Sequence, residues 1–153
     1  MAYWLMKTEP DECSIDDLAN AAPAAVIWEG VRNYQARNFM RQMQVGDEVL
    51  IYHSSCKLIG VAGTAKVVKA AYPDPAQLDS QSIYFDAKSS EDNPRWDAVD
   101  IKFVQKFVQI LPLDSLKAMP ALSELALVKK GNRLSVMPVS DSQWRTILEA
   151  AVI

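Results

Sequence analysis

The chain has 153 residues, half of them hydrophobic and 23% charged, with a formal net charge of −3 at pH 7. That length suits a single domain able to bury its own core, and the composition excludes a disordered or low-complexity chain. The acidic balance excludes a protein that grips long runs of phosphate, although two stretches, 28–69 and 126–153, are locally basic.

Met1–Pro10 lacks the basic segment and following apolar stretch of a secretory leader, and no apolar run approaches the roughly 20 residues of a membrane span. Cys13, Cys56 and a lone histidine, His53, offer neither a disulfide framework nor a zinc-ligand spacing. These features lead us to expect a cytoplasmic protein (nuclear if the source is eukaryotic), with no membrane partner, metal or cofactor.

In chain order, Tyr3–Lys7 reads as a strand. Ser14, with Asp17 three residues on, forms a capping box that opens a short helix. Ala36, Phe39, Met40 and Met43 repeat at helical spacing behind Asn33 as N-cap. A turn at Val45–Glu48 leads to the apolar strand Val49–His53. Ser54–Lys57 turns the chain into a strand from Leu58 to about Val68, whose Gly60 and Gly63 suggest a bulge or close approach. Pro73-Asp74-Pro75 ends it. Ser82–Phe85 reads as a short strand, Asp86–Arg95 as a polar loop, and Val99, Ile101 and Phe103 as one face of another strand. One or two short helices are expected between Leu113 and Leu127, then a strand around Leu134–Met137. A final helix opens on the capping box of Ser140 and Gln143 and carries Trp144, Ile147, Leu148 and Ala151 on one face. No strand–helix–strand rhythm repeats, so a mixed sheet or small barrel with flanking helices is favoured over a doubly wound one.

Catalytic signatures are absent: there is no GxSxG elbow, no phosphate loop and no GxGxxG. His53 and Cys56 could meet across a turn as base and nucleophile, but a strand-end histidine beside a small cysteine is the simpler reading. The aromatic residues are more informative. Trp28-Glu29-Gly30-Val31-Arg32-Asn33-Tyr34 sets two aromatics, a guanidinium and an amide around one glycine before a helix start. Such a segment could stack on a planar base and read its edge. Taken alone, it fits equally a Trp28 that plugs the core.

Five blocks break this balance: Tyr3–Pro10 (YWLMKTEP), Trp28–Asn38 (WEGVRNYQARN), Gly46–Ser54 (GDEVLIYHS), Pro94–Val99 (PRWDAV) and Arg133–Val139 (RLSVMPV). In order and spacing they resemble the successive motifs of the EVE domain family, over essentially the whole chain. The resemblance implies one EVE domain spanning residues 1–153. Its implied fold is α+β, a PUA-like twisted mixed barrel or half-barrel with flanking helices, related to the YTH and ASCH domains.

The resemblance also implies a non-enzymatic module that holds a modified base of DNA or RNA in an aromatic pocket, and we expect a monomer. By analogy with the aromatic cage of YTH domains, Trp28, Arg32, Asn33, Tyr34, Tyr52, His53 and Ser54 would form the base pocket. Lys7, Trp96, Arg133 and Ser135 would line its rim, with Trp96 equally able to serve the core. Arg37 and Arg41, with Arg32, are the candidates for phosphate contacts, and no catalytic residue is assigned. Two alternatives remain open: a small amidohydrolase-like enzyme acting on a modified nucleoside, and an RNA-binding PUA-like module working with a partner.

Overall fold

The computed structural model describes all 153 residues. In chain order its elements are β1 (Tyr3–Thr8), α1 (Ile15–Ala21), β2 (Val26–Trp28), α2 (Tyr34–Gln42), β3 (Glu48–His53), β4 (Gly60–Pro73), β5 (Asp97–Pro112), α3 (Leu113–Lys117), β6 (Val136–Val139) and α4 (Asp141–Ala150). The strands form one mixed sheet in the order β2-β5-β4-β3-β1-β6. β1 lies parallel to β3, and every other pair is antiparallel. The edges, β2 and β6, do not pair with each other. The expected α+β class and mixed sheet are therefore present, as an open sheet and not a closed barrel.

The sheet is buried on both faces, which explains why its central strands read as unbroken apolar runs. Successive side chains on a strand point to opposite faces. Trp4, Met6, Val49, Ile51 and Val136 pack on one side with Ile15 and Leu18 of α1 and Ala36 and Met40 of α2. Leu5, Leu50, Tyr52 and Met137 pack on the other with Leu116 of α3 and Trp144 and Ile147 of α4. Each fully buried Leu, Ile or Met contributes about 1.5–3 kcal/mol, so the two clusters dominate the stability.

Short-range signals in the sequence are realised atom by atom. Ser14 Oγ accepts from Asp17 N at 3.1 Å while Asp17 Oδ2 accepts from Ser14 N at 2.8 Å. Asn33 Oδ1 caps α2 by accepting from Ala36 N at 2.9 Å. The Ser140–Gln143 box closes in the same way. Gly60 and Gly63 mark close approach: a Cβ at either would lie 2.1 Å from Leu111 O or 2.3 Å from Gln105 O, respectively. The β4–β5 register shifts between Val61 and Gly63, as a bulge requires.

Three expectations are corrected. Ser82–Phe85 is not a strand, because β4 and β5 pair directly and leave it no neighbour; its backbone bonds instead close turns, Ser82 N to Asp79 O at 2.9 Å and Phe85 N to Ser82 O at 3.2 Å. Trp28 lies in an unforeseen three-residue edge strand, β2, opposite Val99. The last strand begins two residues later than expected, at Val136. No helix is long and apolar enough to cross a membrane.

Candidate functional site

β1 ends at Thr8 beside the end of β3, and β6 starts next to them, so Lys7, Thr8, Ser54 and Ser135 gather at one end of the sheet. Backbone bonds fix this edge: Lys7 N donates to Ser135 O at 2.8 Å, and Ser54 N donates to Thr8 O at 2.9 Å. The segment from β2 to Asn33 and the approach to α1 complete a cavity of about 770 Å³. That volume falls within the roughly 300–1,000 Å³ of small-molecule sites. Its aromatic lining is Trp28 and Tyr84.

Trp28 is only 6% exposed and packs against the α1/α2 side of the core. It nevertheless lines the cavity, and its indole N–H donates to no protein acceptor and is not sealed from solvent. Two residues on, Gly30 has φ +84°, a left-handed conformation that side chains rarely adopt. The Tyr84 ring lies so close that a Cβ on Gly30 would sit 2.6 Å from its Cζ. The Tyr84 hydroxyl donates to Glu12 Oε2 at 2.6 Å, bridging the loop before β5 to the approach of α1.

Beneath this wall lies a buried carboxylate. Asp74 accepts from Gly30 N and from Arg32 Nη1 at 2.9 Å each, and from Ala76 N at 2.7 Å. Arg32 also donates to the Tyr84 carbonyl through Nε at 3.1 Å and Nη2 at 2.7 Å. Its guanidinium therefore holds Tyr84 in place and has little left for a ligand.

Charge is divided across the cavity. Glu9, Glu12, Asp17 and Glu29 supply the acids, while Lys7, Arg32 and Arg133 supply the bases. Burial, with the Asp74 carboxylate next, pushes Glu29 above the ordinary carboxylate range against the pull of Arg32. Burial pulls Lys7 below its usual value. Burial, then Asp17 and Glu12, push the Cys13 thiol up, away from the reactive thiolate.

The structure brings together Trp28, Arg32, Asn33, Ser54, Lys7, Arg133 and Ser135 around this cavity, and leaves the remaining expected residues elsewhere. Asn33 uses its side-chain oxygen as a helix cap. Tyr52 and His53 are neighbours on a strand and cannot both face one pocket. Tyr52 is buried in the α3/α4 cluster, where burial pushes its phenol up to about 12. His53 Nε2 accepts from Ile15 N at 3.1 Å at the start of α1, so its lone pair is occupied. Cys56 instead donates to Leu58 O at 3.4 Å, which leaves no His53–Cys56 pair.

Tyr34 and Trp96 lie outside the cavity lining, behind Arg32, whose guanidinium is 5.5 Å over the Trp96 ring. Their rings stack at 4.7 Å, and Trp96 Nε1 donates to Asp86 at 2.7 Å. Arg37 is engaged by Arg95 O at 2.8 Å and by Asn38 Oδ1, and Arg41 is paired with Asp97. The residues missed from sequence are chiefly Tyr84, Glu12 and Asp74. Gly30 was the available signal: a glycine between Trp28 and Arg32 points to a turn or a close approach, without naming the partner.

The EVE domain family profile matches residues 2–150. Human thymocyte nuclear protein 1 is 38% identical over 96% of this chain and 72% of its own length. A crystal structure from Pseudomonas putida is similar at 55% identity with a TM-score of 0.95, covering 97% of this chain and 99% of that one. The crystal structure of human THYN1 protein in complex with 5-methylcytosine-containing DNA is similar at 38% identity with a TM-score of 0.91, covering 97% and 96%. The order of the sequence blocks, the open mixed sheet and these similarities lead to one conclusion: the chain belongs to the EVE domain family.

Proposed function

We propose that this chain is a non-enzymatic reader that captures one base of a nucleic acid, in the first instance a modified cytosine of DNA, in the cavity over Trp28. The observation that carries this reading is Trp28 itself, an indole lining a cavity of about 770 Å³ with its N–H donating to no protein group. The human relative solved with 5-methylcytosine DNA supports the choice of base. Stacking a base on an aromatic ring is worth about 1–3 kcal/mol, and flipping one from a duplex costs a few kcal/mol. The two nearly cancel. Single-stranded or weakly paired sites are therefore favoured over intact duplex. Burial pushes the thiol of Cys13, at the cavity wall, up and away from the thiolate, which supports binding over thiol-based conversion of the base. The chain works as a monomer in the cytoplasm, or in the nucleus of a eukaryotic cell, with both cysteines free.

The test is a binding panel of single-stranded oligonucleotides, DNA and RNA, identical except for one modified base. One modified DNA base should bind at least about tenfold tighter than its unmodified parent, a difference of roughly 1.4 kcal/mol. Equal affinity across the panel would refute base capture.

A further inference from the structure

The cations best placed for a nucleic-acid backbone are not the arginines of α2. Arg37 and Arg41 are held by protein acceptors, and Arg32 is committed to Asp74 and Tyr84. Lys7 and Arg133 both line the cavity, and neither forms an ion pair or a side-chain hydrogen bond with the protein; the one aromatic contact is that of Lys7 Nζ, 5.9 Å over the Tyr52 ring. Lys7 is half-buried and Arg133 exposed. The bond from Lys7 N to Ser135 O ties their two backbone segments together, and Asn132 Oδ1 steadies the approach by accepting from Leu134 N at 3.0 Å.

Most acids of the same cavity come from other segments, Glu12 and Asp17 from the approach to α1 and its first turn and Glu29 from the end of β2, while Glu9 follows Lys7 by two residues. A phosphate beside Glu12, Asp17 or Glu29 would meet like charge, whereas at Lys7 and Arg133 it would meet two cations without a carboxylate partner. Burial already disfavours the charged form of Lys7, and an anion would offset that cost.

Resting on the base-capture reading above, we propose that Lys7 and Arg133 form a phosphate subsite for the backbone next to the captured base. The strand then crosses the domain over residues 129–135 and not over α2. Lys130, exposed and without an ion pair, extends this path outward.

The test uses a single-stranded oligonucleotide carrying one 5-methylcytosine, titrated against the full chain over a range of salt. Each phosphate contact on a single strand steepens the slope of log K against log salt by about 0.7. Arg133→Gln and Lys7→Met should each lower affinity about five- to twentyfold at low salt and flatten the slope by about 0.7. Arg133 is exposed, so its variant should fold as the wild type does. Wild-type affinity and slope in Arg133→Gln overturn the subsite while leaving base capture standing. A flattened slope in Arg37→Gln alone moves the strand to α2 and overturns it as well. A wild-type protein that binds no DNA overturns both readings.

Discussion

Arg32 and Asp74 form an ion pair of 2.9 Å in which the carboxylate is wholly withdrawn from solvent. The same carboxylate oxygen accepts the Gly30 N–H, and the same guanidinium holds the Tyr84 carbonyl. One pair thus fixes both the loop and the ring that wall the cavity. The arginine that sequence suggests for reading a base thereby holds the cavity wall in place.

Removing Arg32 leaves Asp74 a buried, unpaired charge. Arg32→Ala should lose about 3–5 kcal/mol of stability, measured by denaturant unfolding. Arg32→Lys should recover part of that loss, since it restores the charge but not the planar fork that grips Tyr84. Base affinity should stay low in the lysine variant. An alanine variant within about 1 kcal/mol of wild type would contradict this account.

Gly30→Ala should cost more than Gly46→Ala, although both glycines have positive φ, +84° and +97°. Gly46 has open space where a Cβ would go, so its cost is backbone strain of about 1 kcal/mol. Gly30 adds the collision with the Tyr84 ring, bringing its cost to about 2–3 kcal/mol and shifting the cavity wall. Thermal unfolding of the two variants measures the difference, and equal shifts in melting temperature would dismiss the Tyr84 contact.

Trp28→Ala should unfold easily. From sequence, the expectation for that variant is lost binding with little change in melting temperature. The burial of Trp28 reverses this, and truncation should cost about 3–5 kcal/mol. Trp28→Phe is the better probe, because it keeps an apolar ring in the core while reducing the stacking face and removing the free N–H. It should fold, and it should bind the preferred oligonucleotide about 5- to 50-fold more weakly. Unchanged binding in a folded Trp28→Phe protein would rule out stacking on this residue.

Stability should depend on pH through His53. Burial lowers its pKa below the ordinary 6.5, with Asp16 and Asp17 pulling the other way and Lys106 adding to the shift. The folded state therefore prefers the neutral ring, whose Nε2 accepts the Ile15 N–H. Because the unfolded chain binds the proton more readily, stability is full above about pH 6.5 and falls as pH drops toward the folded-state pKa. Unfolding free energies of wild type and His53→Gln between about pH 5 and 8 test this. The wild type should lose more stability toward the acid side, and parallel curves would remove His53 as the cause.

Several features of this domain were legible because they depend on residues three or four apart. The capping boxes at Ser14 and Ser140, the Asn33 cap and the apolar stripe of α2 rest on local hydrogen bonds and a 3.6-residue period, which any folded context preserves. The glycines of β4 announced a close approach for the same local reason: a missing Cβ. The five motif blocks carried the family, and with it the mixed sheet. Only the tertiary structure decided which side chains share a cavity. Tyr52 and His53, adjacent in sequence, fall on opposite sides of β3. Tyr84, in a segment misread as a strand, comes from a distant loop to cover Gly30 because Arg32 and Asp74 hold it there. The partner of a buried charge or of a bare glycine is chosen by chain topology, which no short window of sequence contains.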